Sequence, residues 1–397
     1  GTANHSPISS RLPADLSDGT PAAIVFTSGS TGVPKGVLYT HGTLHEQVKA
    51  LRQTYAIQRG EIDLTTFPHF SFFSLALGLT TIIADMNFLR PARSNPQRIS
   101  EAIRSFGVTS MFASPALLDV LGRWGSQNGV KLACLKRVIS AGAPVGVNVI
   151  RRITQMLEPG VQVFTPYGAT EALPVTSIGS DEILADTWRA TEEGQGVCVG
   201  RPCGDIEVHI IGITDESIGK WSEDLCLSVG EIGEIVVRGK GVTREYCNRP
   251  ESNTLAKIPD PNGGTFHRMG DLGYLDAKGR LWFCGRKSHR VVADSGVYFT
   301  VPCEAVFNTH SNVFRSALVP LVVDGKTNPA LCVQLEGRVK RTLRKRTREE
   351  LLRIGAKHPH TRAIEKILFC SDFPVDPRHN AKIAREKLAV LAQRRLT

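Results

Sequence analysis

The sequence predicts an α/β protein: a large layered domain with a mainly parallel sheet, a small antiparallel β unit, and a small C-terminal α/β domain. Three observations carry this. β-prone runs alternate with helix-spaced segments from residue 81 to 168, the pattern of a parallel sheet with crossover helices. Short strands separated by turns replace that alternation over 200–285. Beyond Gly285-Arg-Lys-Ser-His-Arg290 the composition turns basic and a second alternation begins. The expected domains are 1–286, with 200–285 as the small β unit, and 287–397. A chain of 397 residues exceeds one simple core.

Residues 1–20 lack periodicity and read as an irregular lead-in. Ala22-Ala-Ile-Val-Phe26 is an apolar β-prone run, and it leads into Thr27-Ser-Gly-Ser-Thr-Gly-Val-Pro-Lys-Gly36. Glycines at 29, 32 and 36 remove the Cβ atoms that would keep phosphate oxygens from the backbone N–H groups. The hydroxyls of Thr27, Ser28, Ser30 and Thr31 add donors, and Lys35 adds a mobile cation. The loop is not a Walker A sequence, because Pro34 precedes and Gly36 follows the lysine.

Helical spacing covers His41–Tyr55, with Leu44, Val48 and Leu51 on one face, and Leu64–Phe67 reads as a strand. The apolar stretch Phe70–Leu79 reads as ordinary core more than as a wall for an acyl chain. Expected strands follow at Thr81–Ala84, Val108–Phe112, Arg137–Ser140 and Val161–Phe164. Between them lie helices at Pro96–Phe106, Pro115–Trp124 and Val147–Leu157.

Ligands of such sheets sit at the carboxyl ends of strands. There stand Ser140-Ala-Gly-Ala-Pro144 and Thr165-Pro-Tyr-Gly-Ala-Thr-Glu171. Gly142, Ala143 and Pro144 would let a flat ring lie on backbone. Tyr167 would stack on that ring beside Gly168. Thr170 would donate to phosphate, and Glu171 offers an oxygen ligand suited to Mg²⁺.

Strands Ile206–Ile211 and Glu234–Arg238 lead to His267-Arg-Met-Gly-Asp-Leu-Gly-Tyr-Leu-Asp276. In it the Asp271 carboxylate would accept two ribose hydroxyls. The hairpin strand Arg280–Arg286 follows. In the last domain a helix follows Pro302. Strands are expected at Arg315–Val323, Ala330–Leu335 and Glu365–Phe369, and a terminal helix follows Lys382.

Nine cysteines without a C-x-x-C pair argue against both a disulfide framework and a zinc site and for a reducing cytoplasm. The net charge of +10 is concentrated at 338–353, where eight Lys/Arg meet Glu349 and Glu350. No interleaved aromatics or nucleic-acid motif accompany it, so it reads as a solvated helix face rather than a nucleic-acid interface. No apolar run is long enough to span a membrane, which leaves peripheral membrane contact open. The start at Gly1 is neither an initiator Met nor a signal peptide.

In order, the phosphate-type loop, S-A-G-A-P, Y-G-A-T-E, G-E-I-V-V-R-G, R-M-G-D, G-R-K and N-A-K-I resemble the motifs of the adenylate-forming enzymes. The resemblance covers the whole chain and implies that fold, with a mobile C-terminal domain. It implies ATP and Mg²⁺ as cofactors. The loop from Thr27 through Ser28, Gly29, Ser30, Thr31 and Gly32 to Lys35 would be the pyrophosphate side. Gly142, Ala143, Pro144 and Tyr167 would form the adenine pocket, and Thr170 and Glu171 the phosphate and metal contacts. Asp271 would be the ribose ligand and Arg286 a ribose/phosphate arginine. Lys382 would bridge carboxylate and α-phosphate.

This chain departs from the family in four places. Only 26 residues precede Thr27, which implies that the first part of the large domain is absent. Ser71 stands where many members have His, with His69 two residues earlier. The hinge, often Asp or Lys, is Ser288 or His289. The lysine motif reads Asn380-Ala-Lys382.

T-P-Y-G-A-T-E-A-L-P-V, L-W-F-C-G-R-K-S-H-R and F-P-V-D-P-R-H-N-A-K-I-A-R-E-K-L resemble the β-lactone synthetases of bacterial long-chain olefin biosynthesis. That implies adenylation of a long-chain 2-alkyl-3-hydroxy acid and its closure to a β-lactone, with other olefin-pathway enzymes as partners. A long-chain acyl-CoA synthetase or acyl-AMP ligase would share every adenylation residue, and a nucleotide-binding but inactive partner is the third reading.

Overall fold

Two strands flank the glycine-rich loop: β1 (Pro21–Phe26) and β2 (Gly36–Thr40), paired antiparallel with Phe26 opposite Gly36. The computed structural model describes residues 16–27, 33–337, 340–375 and 383–397, with backbone alone at His69 and Arg341. Ser28, Gly29, Ser30, Thr31, Gly32 and Lys382 lie outside the described residues.

The expected alternation forms the parallel half of a long sheet. Its strands are β3 (Ile62–Thr65), β4 (Thr80–Ile83), β5 (Ser110–Ala113), β6 (Arg137–Ser140) and β7 (Gln162–Ala169). They run β4-β3-β5-β6-β7, all parallel. Helices Pro96–Ser105 and Pro115–Asn128 begin where the sequence supplies caps. Asn95 accepts from the N–H of Gln97 and Ser114 from that of Leu117, each before a proline at the first helical position. Leu64, Ile99, Ile103, Met111, Leu117 and Leu118 pack between sheet and helices.

Strand β7 runs farther than expected. It passes through Tyr167 to Ala169 and turns back as β8 (Ala172–Gly179), so Thr170 and Glu171 occupy a tight hairpin turn. Gly168 fits this turn because a Cβ there would lie 2.7 Å from the Ala172 carbonyl oxygen.

Strand β9 (Val197–Pro202) pairs with β8 only at Thr176–Pro202 and Ser177–Arg201. Through it the antiparallel strands β10 (Glu207–Ile211), β11 (Gly233–Arg238), β12 (Lys257–Pro259), β13 (Thr265–Leu275) and β14 (Leu281–Arg286) continue the same sheet.

The apolar stretch after Phe67 is not ordinary core throughout. It forms the short helix Ser71–Ala76, in which Phe72 is 52% and Leu75 65% exposed. Ser74 takes the inward face instead, because its hydroxyl donates at 2.8 Å to the buried Asp63.

After residue 286 come the hairpin β15 (Val291–Ala293) and β16 (Gly296–Tyr298), unforeseen in the sequence. The sheet β17 (Val313–Val323), β18 (Lys326–Leu335) and β19 (Lys366–Cys370) follows. Alternate residues of β17 bury both its faces. Leu318 packs toward helices Thr300–Asn308 and Arg341–Ala356, while Ala317 and Val319 pack toward helix Arg385–Leu396. The basic segment is thus a helix that buries Thr347 and Leu351 and exposes most of its cations. All nine cysteines are free. Among the described residues no helix is long and apolar enough to cross a membrane.

Candidate active site

The glycine-rich loop is closed at its base by its own ends. Thr27 N–H donates to the Lys35 carbonyl, and Lys35 N–H to Thr27 Oγ1, both at 3.0 Å. The segment after β11 then stitches this hairpin to the turn that carries Glu171. Leu38 N–H donates to the Glu245 carbonyl at 3.1 Å, and Cys247 N–H to that of Gly36 at 2.8 Å. Thr243 donates to the Glu171 carbonyl from its N–H at 2.9 Å and its hydroxyl at 3.1 Å.

Those backbone bonds bring together side chains that are far apart in sequence. Tyr246 Oη donates to Glu171 Oε1 at 2.6 Å, and Lys35 Nζ lies 4.5 Å from the centre of the Tyr246 ring. Tyr39 Oη donates to the Thr170 carbonyl. Burial and the facing Glu171 carboxylate push the Tyr246 phenol up, so it stays a donor. Beneath them the buried Lys257 donates to the Thr243 carbonyl and lies 5.7 Å from the same ring. Burial lowers its ammonium to about 7, against the attraction of Glu171 and with some repulsion from Lys35. His267, opposite Lys257 in the β12–β13 pairing, is pushed down by burial and then by Lys257.

The second half of the site is built on β13, β14 and β7. Asp271 and Arg286 are register partners across β13–β14, with Oδ1 and Nη1 3.1 Å apart. Tyr167 Oη donates to Asp271 Oδ2 at 2.6 Å. Arg286 lies off the line of a hydrogen bond to Oδ1, which receives none and keeps its acceptor capacity. Burial raises the Asp271 carboxyl, opposed by Arg286 and Tyr167. Arg286 is itself raised by Asp271 in first place, with Glu171 and Tyr246 also contributing, so the two halves share one electrostatic field.

Gly142 holds φ +94°, a conformation that suits glycine. Ile139 is opposite Phe164 in the parallel β6–β7 pairing, so Gly142, Ala143 and Pro144 leave the end of β6 beside the Tyr167 stretch of β7.

Just after β14, Arg290 Nη2 lies 2.8 Å from Asp215 and Lys287 Nζ 3.1 Å from Glu234. His289 between them is lowered to about 4 by burial, then by Arg385 and Arg286, and is neutral near pH 7.

The structure therefore draws together Thr27, Lys35, Thr170 and Glu171 through the hydrogen bonds of the 243–247 segment, and Tyr167, Asp271 and Arg286 through direct contact. Tyr39, Tyr246 and Lys257 were not singled out in the sequence. The tyrosine in Arg244-Glu-Tyr-Cys-Asn-Arg-Pro250, a lone aromatic among polar residues, was the available signal.

Residues 2–247 match the family described as AMP-binding enzyme. An olefin β-lactone synthetase of Xanthomonas campestris pv. campestris is 46% identical over 383 residues, 96% of this chain and 68% of that protein. One of Stenotrophomonas maltophilia is 47% identical over 381 residues, 94% of this chain and 67% of that protein. The ATP-bound RpMatB–BxBclM chimera B3 superposes with TM-score 0.74 at 19% identity, covering 96% of this chain and 70% of that one. O-succinylbenzoate coenzyme A synthetase of Bacillus subtilis, in complex with ATP and magnesium, gives TM-score 0.73 at 21% identity, covering 94% and 70%. By its family match, its relatives and its fold, the chain belongs to the AMP-binding, adenylate-forming enzymes.

Proposed function

We propose that this chain is an ATP-dependent β-lactone synthetase that acts on a long-chain 2-alkyl-3-hydroxy acid. The observation that supports acid activation best is the meeting of Lys35, Tyr246 and Glu171 on one side with Asp271, Arg286 and Tyr167 on the other. The β-lactone step rests on the two relatives that bear that name.

In the first step a carboxylate oxygen attacks the α-phosphorus and pyrophosphate leaves. Anion meets anion there, so the chain must supply positive charge and hold the reactants in line. Lys35 faces the polyphosphate from the base of the glycine-rich loop, and Lys382 bridges the carboxylate and α-phosphate. Asp271 takes a ribose hydroxyl on its free Oδ1, with Arg286 beside it. Gly142, Ala143 and Pro144 receive the adenine next to Tyr167.

Glu171 fits Mg²⁺. It is a hard oxygen donor, and Tyr246 fixes one of its oxygens, which orients the other. When bound, the ion neutralises phosphate charge.

In the second step the substrate's 3-hydroxyl oxygen attacks the acyl carbon, loses its proton and expels AMP. The internal nucleophile replaces an external thiol and gains from proximity. The exposed Phe72 and Leu75 are candidates for the wall along which the alkyl chain lies. The reaction suits a cytoplasmic enzyme that works beside other olefin-pathway enzymes.

Incubation of the protein with ATP and a long-chain 2-alkyl-3-hydroxy acid, with and without CoA, followed by mass spectrometry, tests this. Lactone, AMP and pyrophosphate without CoA are the expected products. A strict requirement for CoA, with acyl thioester as product, overturns the proposal in favour of an acyl-CoA synthetase.

A further inference from the structure

Away from this site, at the outer edge of the long sheet, three side chains of metal-binding type converge. The segment after Trp221 returns along β10, with Ile211 bridged to Cys226 and Leu227 N–H donating to the Ile210 carbonyl at 2.8 Å. Residues 209 and 211 share a face of β10, so this register sets Cys226 diagonally against His209. Cys226 Sγ is 3.7 Å from His209 Nδ1 and 3.9 Å from Glu223 Oε2. One ligand atom from each of the three residues lies within 4.8 Å of the others.

Those spacings suit one ion. Zn–S near 2.3 Å and Zn–N near 2.0–2.1 Å at tetrahedral angles put sulfur and nitrogen about 3.5 Å apart. The two separations from the sulfur need to contract by only a few tenths of an ångström.

The surroundings orient each ligand. Trp221 Nε1 donates to Glu223 Oε1 at 2.9 Å, which turns Oε2 toward the thiol. The His209 ring stands edge-on to Trp221 at 5.1 Å and to Phe266 at 5.5 Å, and those two rings stack at 3.8 Å. His209 Nε2 is buried without a hydrogen bond, and Glu207 Oε2 waits 3.6 Å away. A carboxylate there would hold the proton on Nε2 and leave Nδ1 free to coordinate. Val208, Leu227, Val229 and Leu275 join His209 and Cys226 around a cavity of about 100 Å³, room for a water in a fourth position.

We propose that His209, Glu223 and Cys226 bind a zinc ion, with water as the fourth ligand, and that the ion pins the 221–228 segment to the edge of β10. Binding breaks the Cys226 S–H bond, releases that proton and forms a Zn–S bond.

Cobalt(II) titration of the metal-stripped full chain tests the site. One equivalent should give a thiolate-to-cobalt charge-transfer band, displaced by zinc, and zinc should raise the melting temperature. Cys226→Ser should lose the band and the thermal shift while releasing pyrophosphate at the wild-type rate. Glu223→Gln, which preserves packing, should weaken cobalt binding at least about 10-fold, and Cys134→Ser should change nothing. Absence of the band in the wild-type chain, or its survival in Cys226→Ser, overturns the proposal.

Discussion

Tyr246 donates its phenolic hydrogen to Glu171 Oε1 at 2.6 Å across a sequence separation of 75 residues. Hydrogen bonds to charged groups contribute about 1.5–3 kcal/mol. Without this one the carboxylate is free to turn away from the phosphates. Tyr246→Phe should therefore release pyrophosphate about 10-fold more slowly at limiting Mg²⁺, with part of the loss recovered at high Mg²⁺. Glu171→Gln should lose about 10²–10³ in rate, the cost of removing a transition-state contact. A Tyr246→Phe enzyme whose Mg²⁺ dependence matches wild type would break the link between the two residues.

Asp271 holds Tyr167 on one oxygen and has Arg286 beside the other. Asp271→Asn keeps the shape and removes the charge that a ribose hydroxyl would meet. Calorimetry should show AMP binding about 10- to 100-fold weaker, in line with the loss of a charge-assisted hydrogen bond. Unchanged affinity would remove Asp271 from the nucleotide site.

Lys257 titrates near 7 in the folded protein instead of 10.5, chiefly because it is buried, with Glu171, Lys35 and His267 as its charged or titratable neighbours. Below pH 7 both folded and unfolded chains carry its proton, and the cost of the buried charge is present in full. Between 7 and 10.5 the unfolded chain binds more protons, so this residue makes stability rise with pH. Lys257→Met should flatten that rise in urea-unfolding midpoints measured across the interval. Parallel midpoint curves for the two proteins would place the lysine's charge elsewhere.

Motifs that act within a few residues were legible before the fold was known. The glycine-rich loop and Asp271 stand out by local residue types, and Arg286 by the resemblance of its G-R-K motif to the family. Tyr246 and Lys257 do not: Tyr246 is placed by backbone pairing of residues 243–247 with β2 and the Glu171 turn, and Lys257 by the β12–β13 pairing. The turn itself was not foreseen, since nothing in Tyr167–Glu171 says that β7 continues past Phe164 and folds back. Phe72 and Leu75 read as core because hydropathy alone cannot see that Asp63 draws Ser74 inward.

Arg268 and Glu234 form a pair at 2.6 Å with side chains 3% and 1% exposed, on β13 and β11, with Arg268 three residues before Asp271. Arg268 also donates to the carbonyls of Thr214, Glu216 and Leu255. Removing one partner of a buried pair strands the other charge and typically costs about 3–5 kcal/mol. Lys287 is a second cation on Glu234, 3.1 Å away, and it softens that cost. Arg268→Met should accordingly fall at the low end, about 3 kcal/mol by denaturant unfolding. The double variant Arg268→Met/Glu234→Leu should recover part of it, because no stranded carboxylate remains. Glu234→Gln removes the charge partner of both Arg268 and Lys287. It weakens the anchor of Lys287, the first residue of the expected mobile domain, so it should alter turnover more than AMP affinity. An Arg268→Met protein within about 0.5 kcal/mol of wild type, the scatter of ordinary surface changes, would show that the pair is not what holds this strand.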